Sequence, residues 1–558
     1  MRQCTFLLLF SIWLVPGELV TQEIEKEKIA RSDVQGAEKL AALKFTAAER
    51  DSLLSSVESR TRYFKAIHEQ KLRNAVPPAL VFNPLPQGRT FDKKQRKIRY
   101  AAARQRDIPA DLEQLAFSSI GELAELIRTQ KVSSLALTQM YLSRLKRFDD
   151  KLLCTVTLLE ERALSQARKA DAEIAAGRYR GPLHGIPYGA KDLLALPGEK
   201  TTWGAAPFKD QVLDETATVF KKLDEAGAVL LAKLTLGALA MGDVWYGGRT
   251  RNPWDLEQGS SGSSAGSAAA TAAGLVAFAI GTETMGSIVS PSTRCGVTGL
   301  RPTYGRVSRT GAMALSWTMD KIGPIGRTVE DCAMVFDAIR GPDNIDQTLI
   351  DLPFNYDADA AITSLRVGYL KGQFEKEYAN KDRDAATLLL LQELGVTLIP
   401  IELPDMPVSP LRIILEAEAA AAFDALTRSN SDDLLVRQSK RAWPNLIRSA
   451  RFIPAVEYIN ANRLRYQLIQ EMNALFDKID VYVAPSFGGP NLLMTNLTSH
   501  PCVVVPNGFN EKGSPTSISF IGDLFGEADA LLLAGAYQNA AGFHHKQPAQ
   551  FATDSGRE

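Results

Sequence analysis

Two serine-containing segments flank an alanine-rich stretch and a short apolar run, and this order limits how the chain can fold. Ser263 and Ser287 are 24 positions apart. Between them, residues 264–273 favour a helix, Gly274 is a typical helix stop, and residues 275–280 have the length and composition of a strand. About ten helical residues advance about 15 Å, and about five or six strand residues return nearly the same distance. We therefore expect both serines at the same edge of a sheet.

Short apolar runs alternate with helical stretches through most of the chain. The clearest runs are residues 229–232, 275–280, 481–484 and 502–505. This alternation predicts an α/β fold in which helices cover both faces of a sheet, an α/β/α layered arrangement.

A serine hydroxyl needs a nearby base before it can attack an acyl carbon at neutral pH. Histidine is the usual base, but neither serine segment contains one of the five histidines of the chain. Lysine can replace histidine when burial lowers its pKa. Lys191 follows the apolar residues 186–190 and precedes two leucines, which favours burial, although a solvated lysine at a strand end is the ordinary alternative.

The first serine segment allows two other interpretations. Residues 258–267 have the composition of a flexible Gly/Ser linker, but a linker is not normally joined directly to a helix and a buried strand. Residues 262–266 also fit a Gly-x-Ser-x-Gly elbow with Ser264 as the nucleophile. That elbow needs a preceding strand and a distant histidine, whereas residues 251–258 are rich in turn formers.

Six motifs occur in a fixed order along the chain, and together they carry a family resemblance. They span residues 181–192, 250–255, 262–270, 281–287, 296–308 and 496–506. In this order, and with the 24-residue serine spacing, they resemble the amidase signature family of serine hydrolases over about residues 111–545. The resemblance implies that the central sheet is large and mixed.

The resemblance also implies a role for each site residue. Ser287 would be the nucleophile, Ser263 a bridging serine that follows a cis peptide bond, and Lys191 the base. The oxyanion hole would be formed by the backbone N–H groups of four residues, Thr284, Met285, Gly286 and Ser287. Neutral Lys191 would then draw a proton through Ser263 from Ser287 as the latter attacks an amide carbonyl.

Some positions depart from the common form of the family. Met285 stands where a glycine is usual, and Val289 and Ser290 stand where an arginine and an apolar residue are more typical. Ala265 replaces a glycine in the first serine motif. These changes leave the relay intact but put in doubt any substrate carried over from other members.

The amino terminus predicts export. Residues 6–15 form an apolar run that ends at Pro16 and Gly17, which fits a signal peptide over residues 1–22 better than a membrane span of about twenty residues. No cleavage motif is evident, so an uncleaved anchor stays open. Cys4 lies before the apolar run, which argues against a lipoprotein.

An extension over residues 23–110 separates the signal from the predicted catalytic domain, residues 111–558. It begins with a helix capped at Thr46, and its residues 76–86 are too rich in proline for a helix. Residues 89–107 hold eight Lys or Arg against two Asp, which is typical of a solvated face, with contact to a polyanion or lipid as the alternative. We expect the extension to pack on the catalytic domain.

Composition agrees with this view. The chain has 64 basic and 64 acidic residues, so its net charge gives no reason to expect nucleic acid as a partner. The five cysteines are scattered without a metal-ligand spacing, so we expect no metal, no cofactor and no disulfide framework. We also expect no stable membrane span, and a homodimer stays open.

The predicted function is that of an exported amidase, which hydrolyses a small carboxamide through an acyl-enzyme and needs only this substrate as its partner. The nearest alternative is the glutamine-hydrolysing subunit of a tRNA-dependent amidotransferase, which would pass ammonia to partner subunits. A second alternative is a catalytically silent binding protein on the same scaffold.

Overall fold

A computed structural model describes residues 29–553. These residues form two compact units, divided between Leu72 and Arg73. The predicted signal peptide, residues 1–22, lies outside the described residues. Within residues 29–553, none of the helices combines the length and the apolar composition that a membrane crossing requires.

Helices and strands alternate through most of the second unit, which agrees with the predicted α/β class. The α-helices are α1 (Arg31–Leu40), α2 (Ala47–Glu69), α3 (Ile120–Arg128), α4 (Ser134–Leu152), α5 (Glu160–Ala175), α6 (Thr218–Glu225), α7 (Ala265–Ala272), α8 (Val289–Cys295), α9 (Val329–Ile339), α10 (Lys371–Phe374), α11 (Lys381–Glu393), α12 (Ile413–Ala422), α13 (Asp424–Arg428), α14 (Trp443–Ala450), α15 (Ala455–Phe476), α16 (Asn491–Leu497) and α17 (Glu527–Ala541). The strands are β1 (Thr155–Leu158), β2 (Pro187–Lys191), β3 (Val229–Leu234), β4 (Val244–Trp245), β5 (Gly248–Arg249), β6 (Arg251–Asn252), β7 (Asp255–Gly259), β8 (Phe278–Glu283), β9 (Thr298–Arg301), β10 (Lys321–Gly326), β11 (Val367–Leu370), β12 (Leu398–Ile401), β13 (Val481–Pro485), β14 (Cys502–Phe509) and β15 (Pro515–Gly522).

A single sheet of 11 strands forms the centre of the second unit, in the order β1-β3-β2-β8-β10-β9-β14-β15-β13-β11-β12. The pairs β2–β3, β2–β8, β11–β12 and β11–β13 are parallel, and the other neighbours are antiparallel. Every residue of β2, β3, β10, β13 and β15 is buried. Because side chains alternate between the two faces of a strand, both faces must be covered, and the predicted layered fold with a large mixed sheet is confirmed.

The elements between the two serines differ slightly from their predicted bounds. The predicted helix corresponds to α7, all of whose residues are buried. The strand begins three residues later than predicted, at Phe278, because the end of the helix continues into a turn. Gly274 there has φ +65°, and the Leu275 N–H donates to the carbonyl of Ala270 at 2.9 Å.

The first unit contains α1 and α2. Thr46 caps α2 as predicted, since its hydroxyl accepts from the Glu49 N–H and the Glu49 carboxylate accepts from the Thr46 N–H at 2.6 Å. Glu38 on α1 pairs with Arg50 on α2 at 2.6 Å and is itself 5% exposed. This ion pair joins the two helices.

Residues 73–110 belong to the second unit. Residues 76–86 form neither helix nor strand, as their prolines predict. In the basic stretch, Arg89 pairs with Asp523, whereas Lys93, Lys94 and Lys97 are exposed. The solvated face expected for this stretch therefore holds for these lysines, and the domain boundary at residue 110 stays a prediction.

Candidate active site

Lys191 is the last residue of β2 and its side chain is fully buried. Its amine lies 2.8 Å from the hydroxyl oxygen of Ser263, 2.8 Å from that of Thr282 and 3.1 Å from that of Ser264. Burial lowers the pKa of Lys191 to about 7. A large fraction of molecules therefore carries an uncharged amine at neutral pH, which is the form that can accept a proton.

Ser263 lies at the start of the turn into α7 and is 1% exposed. The peptide bond between Gly262 and Ser263 is cis, as the family resemblance implied. A Cβ atom at position 262 would lie 1.9 Å from the carbonyl oxygen of Gly242. Only glycine fits there, so the close approach of these two backbones fixes the path of the chain into Ser263.

Ser287 lies in the loop between β8 and α8 and is half-buried. Its carbonyl accepts from the Ser264 N–H at 3.2 Å, which holds the two serine segments side by side. Within the described chain, the Ser287 hydroxyl makes no hydrogen bond. The structure thus brings Lys191 and Ser263 into contact, whereas the second contact that a relay needs, between the Ser263 and Ser287 hydroxyls, is not formed.

The loop of residues 284–287 carries unbonded backbone donors. Among the described residues, none of its four N–H groups donates a hydrogen bond, whereas the next two, of Ile288 and Val289, donate to the carboxylate of Glu283 at 2.8 and 2.9 Å. Gly286 has φ +102°, a conformation that strongly favours glycine. Consecutive free donors of this kind can bind a developing negative charge on oxygen.

Glu283 holds this loop from below. Besides the two N–H groups, its carboxylate accepts from Arg301 at 2.9 Å and from Asn496 at 2.8 Å, and all three side chains are buried. Burial acts to raise the pKa of Glu283, but the Arg301 charge and the hydrogen bonds bring it below its ordinary value. The motif containing Glu283 does not by itself predict this role, because both partners come from distant segments.

Asp320 fixes the other end of the loop. Its carboxylate accepts from the Thr284 hydroxyl at 2.6 Å and from the N–H groups of Leu315 and Ser316 at 2.8 and 2.9 Å. Burial raises the pKa of Asp320, and its negative charge in turn acts to raise the pKa of Lys191. Asp320 lies outside every motif of the sequence, so no local signal marks it as a site residue.

A buried ion pair lies directly beside Lys191. Asp192 pairs with Lys233 at 2.8 Å, and both side chains are 0% exposed. The same carboxylate accepts from the backbone N–H of Thr202 at 2.9 Å and from its hydroxyl at 2.5 Å. These bonds hold the chain immediately after β2, and therefore the direction in which Lys191 leaves the strand.

The departures from the common family pattern are accommodated by packing. Met285 is half-buried and packs against the core, and Val289 is fully buried. An arginine at position 289 would need a buried partner. Ser264, the alternative nucleophile, exchanges hydrogen bonds with the Thr282 backbone, donating and accepting at 3.1 Å, which gives its hydroxyl a structural role.

Within residues 29–553, no group of three or more His, Cys, Asp or Glu side chains is arranged to hold a metal ion. The four described cysteines are buried and unpaired: Cys154, Cys295, Cys332 and Cys502.

Comparison with known proteins then settles the family. The model of the family described as Amidase matches residues 136–494. The chain belongs to the amidase family.

Curated relatives extend this match over most of the chain. One of them, from Moorella thermoacetica, is the A-type subunit of a Glutamyl-tRNA(Gln) amidotransferase. It is 33% identical over 485 residues, which cover 78% of this amidase and 99% of the relative. By its name, that relative is one part of a multi-subunit amidotransferase.

Solved structures of amidases share the fold. PAM12A superposes with a TM-score of 0.71 at 28% identity and covers 79% of this chain and 100% of its own. The peptide amidase of Stenotrophomonas maltophilia superposes with a TM-score of 0.69 at 28% identity, covering 77% of this chain and 98% of its own. This amidase is therefore an enzyme of the kind that acts on carbon–nitrogen bonds, and the hypothesis of a silent binding protein receives no support.

Proposed function

We propose that the protein hydrolyses amides with Ser287 as nucleophile, Ser263 as bridging serine and Lys191 as base. The observation that carries the proposal is the 2.8 Å separation between the Lys191 amine and the Ser263 hydroxyl. A lysine that is buried and largely uncharged at neutral pH can do the work that histidine does in other serine hydrolases.

In the proposed mechanism, Ser287 Oγ forms a bond to the amide carbon while its proton passes to Ser263 Oγ. The proton of Ser263 passes at the same time to the Lys191 amine, which becomes an ammonium. The tetrahedral intermediate then breaks its C–N bond, and the relay runs backwards to protonate the departing nitrogen. Water hydrolyses the acyl-enzyme by the same route, releasing the acid and restoring the Ser287 hydroxyl.

Geometry requires one adjustment in this mechanism. Because the Ser287 hydroxyl is unbonded among the described residues, it must rotate toward Ser263 as substrate enters. A serine side chain changes rotamer on a timescale of picoseconds to nanoseconds, so this rotation does not limit turnover. The N–H groups of residues 284–287 would receive the oxyanion without a backbone rearrangement.

Two substrates fit the proposed chemistry. The first is the side-chain amide of glutamine, with the protein acting as one member of a tRNA-dependent amidotransferase complex. The curated relative from Moorella thermoacetica favours this candidate over the exported amidase, since its name describes such a role and the match covers 99% of it. In that case the protein has partner subunits, contrary to the expectation of a small amide alone.

The second candidate is a small carboxamide hydrolysed by an exported enzyme that acts alone. The similarity to the peptide amidase of Stenotrophomonas maltophilia supports an amidase of this kind. A cavity of about 360 Å³ beside Thr282 and Thr284 is at the small end of the range for ligand sites. Export itself rests on residues 1–22, which lie outside the described residues, and so it remains part of this proposal.

Ammonia release separates the two candidates. The purified full chain is assayed with glutamine and with a panel of aliphatic, aryl, amino-acid and peptide amides, beside Ser287→Ala. Glutamine turnover together with co-purification of partner subunits from the native cells supports the amidotransferase role. Turnover of small amides by a chain found outside the cytoplasm supports the exported amidase. Failure of wild type to hydrolyse any amide, or to label at Ser287 with a fluorophosphonate, would overturn the proposed chemistry.

A further inference from the structure

An extended segment, residues 73–82, forms one wall of the cavity beside the catalytic loop. We call these residues the strap. The strap lies outside the part of the chain that matches the family, residues 136–494. Opposite it, the cavity of about 360 Å³ is lined by Thr282, Thr284 and Asp320. The strap therefore faces the residues that hold Lys191 and the proposed oxyanion donors.

Asn74 fixes the beginning of the strap. Its side-chain amide donates to the Ala314 carbonyl at 2.8 Å and accepts from the Ala314 N–H at 2.8 Å, as a backbone strand would. It also donates to the Ala422 carbonyl at 3.3 Å. Ala314 precedes Leu315 and Ser316, whose N–H groups bind Asp320, so the strap is attached to the loop that anchors the active site.

Phe82 fixes the end of the strap. The guanidinium of Arg465 lies 3.5 Å from the centre of the Phe82 ring, and Tyr304 contacts that ring edge-on at 5.3 Å. Arg465 is 1% exposed and donates to the Thr318 carbonyl at 2.9 Å. A cation over an aromatic face is a strong contact when it is shielded from water.

Between these two attachments the strap is only thinly packed. Leu80 is 80% exposed and Val81 48% exposed. On the side away from the catalytic loop, the strap borders an apolar groove of about 750 Å³, whose other wall includes Trp317, Ile453 and Ile459. The strap and Trp317 border both spaces. They separate a small cavity at the catalytic loop from a larger apolar space beyond.

We propose that the strap is a specificity-determining wall, which restricts the enzyme to short amides by closing the catalytic cavity off from the apolar groove. Without the strap, the two spaces join and accept amides with long apolar chains. This inference rests on the proposed amide-hydrolysing function of the adjacent site. The strap residues themselves take no part in proton transfer.

The test uses straight-chain primary amides from acetamide to decanamide with the full chain. Asn74→Ala and Phe82→Ala should each raise kcat/KM for octanamide relative to butanamide by about tenfold or more, since one methylene in a fitted pocket changes this ratio about tenfold. The gain should appear in KM, with kcat for butanamide little changed. Gln87→Ala is the matched control, because Gln87 follows the strap and accepts a bond from Tyr466 at 3.0 Å.

A ratio that stays at the wild-type value in both Asn74→Ala and Phe82→Ala would overturn the inference. If either variant melts early, Ala75→Phe supplies the opposite change, since added bulk in the cavity wall should reduce turnover of butanamide more than that of acetamide. Equal reduction of both substrates would also contradict the proposal.

Failure of the proposed chemistry is recognised separately, by a wild type that hydrolyses no amide. In that event, binding of butanamide and octanamide to Ser287→Ala is measured calorimetrically, with and without Asn74→Ala. Tighter octanamide binding after loss of Asn74 would still support the strap as the wall, and unchanged binding would refute it.

Discussion

The amine of Lys191 and the hydroxyl of Ser263 lie 2.8 Å apart, and both side chains are almost completely buried. Two segments that are 72 positions apart in the chain meet here. One is the end of a parallel strand and the other is the turn into a helix. The chemistry proposed for the protein depends on this contact, and the predictions below test it and the groups that hold it.

The pH dependence of the wild type should show the titration of Lys191. Its pKa is lowered to about 7 by burial, and only the uncharged amine can accept a proton. We therefore expect kcat/KM to rise with pH through a midpoint near 7 and then to level off. The measurement is a pH–rate profile under subsaturating substrate. Full activity persisting well below the midpoint would contradict a lysine base.

Replacement of Asp320 by asparagine should move this acid limb to lower pH. The negative charge of Asp320 acts to raise the pKa of Lys191, so its removal leaves the amine uncharged down to a lower pH. The amide oxygen of the new side chain can still accept from the Thr284 hydroxyl. The pH–rate profile of Asp320→Asn, with thermal unfolding measured in parallel, checks this shift. A limb that moves to higher pH would show that Asp320 does not act through its charge.

Loss of the nucleophile should be far more severe than loss of its neighbour. We expect Ser287→Ala to lower kcat by roughly 10⁴-fold or more, as removal of a catalytic serine does elsewhere. Ser290→Ala is the matched control, since Ser290 lies in the first turn of α8 and its hydroxyl has no proposed role. Comparable losses in the two variants would rule out Ser287 as the nucleophile.

The carboxylate of Glu283 should matter for both stability and turnover. Glu283→Gln places an amide group where Arg301 and two backbone N–H groups now find acceptors. We expect a loss of about 3–5 kcal/mol in the free energy of unfolding, and a fall in kcat of about tenfold or more because the oxyanion donors are misplaced. Denaturant unfolding and steady-state kinetics measure the two effects.

Glu173→Gln is the control for this variant. Glu173 is 6% exposed and pairs with Arg180, as Glu283 pairs with Arg301, but it lies on α5, away from the catalytic loop. We expect it to reduce stability without changing kcat. If Glu283→Gln likewise reduced only stability, the proposed positioning of the loop would be wrong.

Local composition predicts the elements around the serines well. The alanine-rich residues before Gly274 form α7, and the apolar runs at residues 229–232, 481–484 and 502–505 all lie in strands. The predicted start of β8 is too early because Leu275 is as apolar as the strand that follows. Its N–H, however, completes the helix turn, and hydropathy alone does not distinguish a buried turn from a strand.

The supporting residues of the site could not be predicted in the same way. Asp320 meets Thr284 across 36 positions, and Asn496 meets Glu283 across 213. These contacts follow from the order of β8, β10 and β14 in the sheet, which no local pattern encodes. The family resemblance supplied Lys191, Ser263 and Ser287, whereas the groups that orient them appear only once the sheet is assembled.

The complete burial of Lys191 links catalysis to the compactness of its surroundings. An exposed lysine has a pKa near 10.4, so the amine remains a base at neutral pH only while water is kept from it. Any loosening that hydrates this side chain recharges it and silences the enzyme while most of the fold is still intact. Inactivation by mild denaturant should therefore precede melting of the sheet, so that the catalytic group also serves as a reporter of local opening.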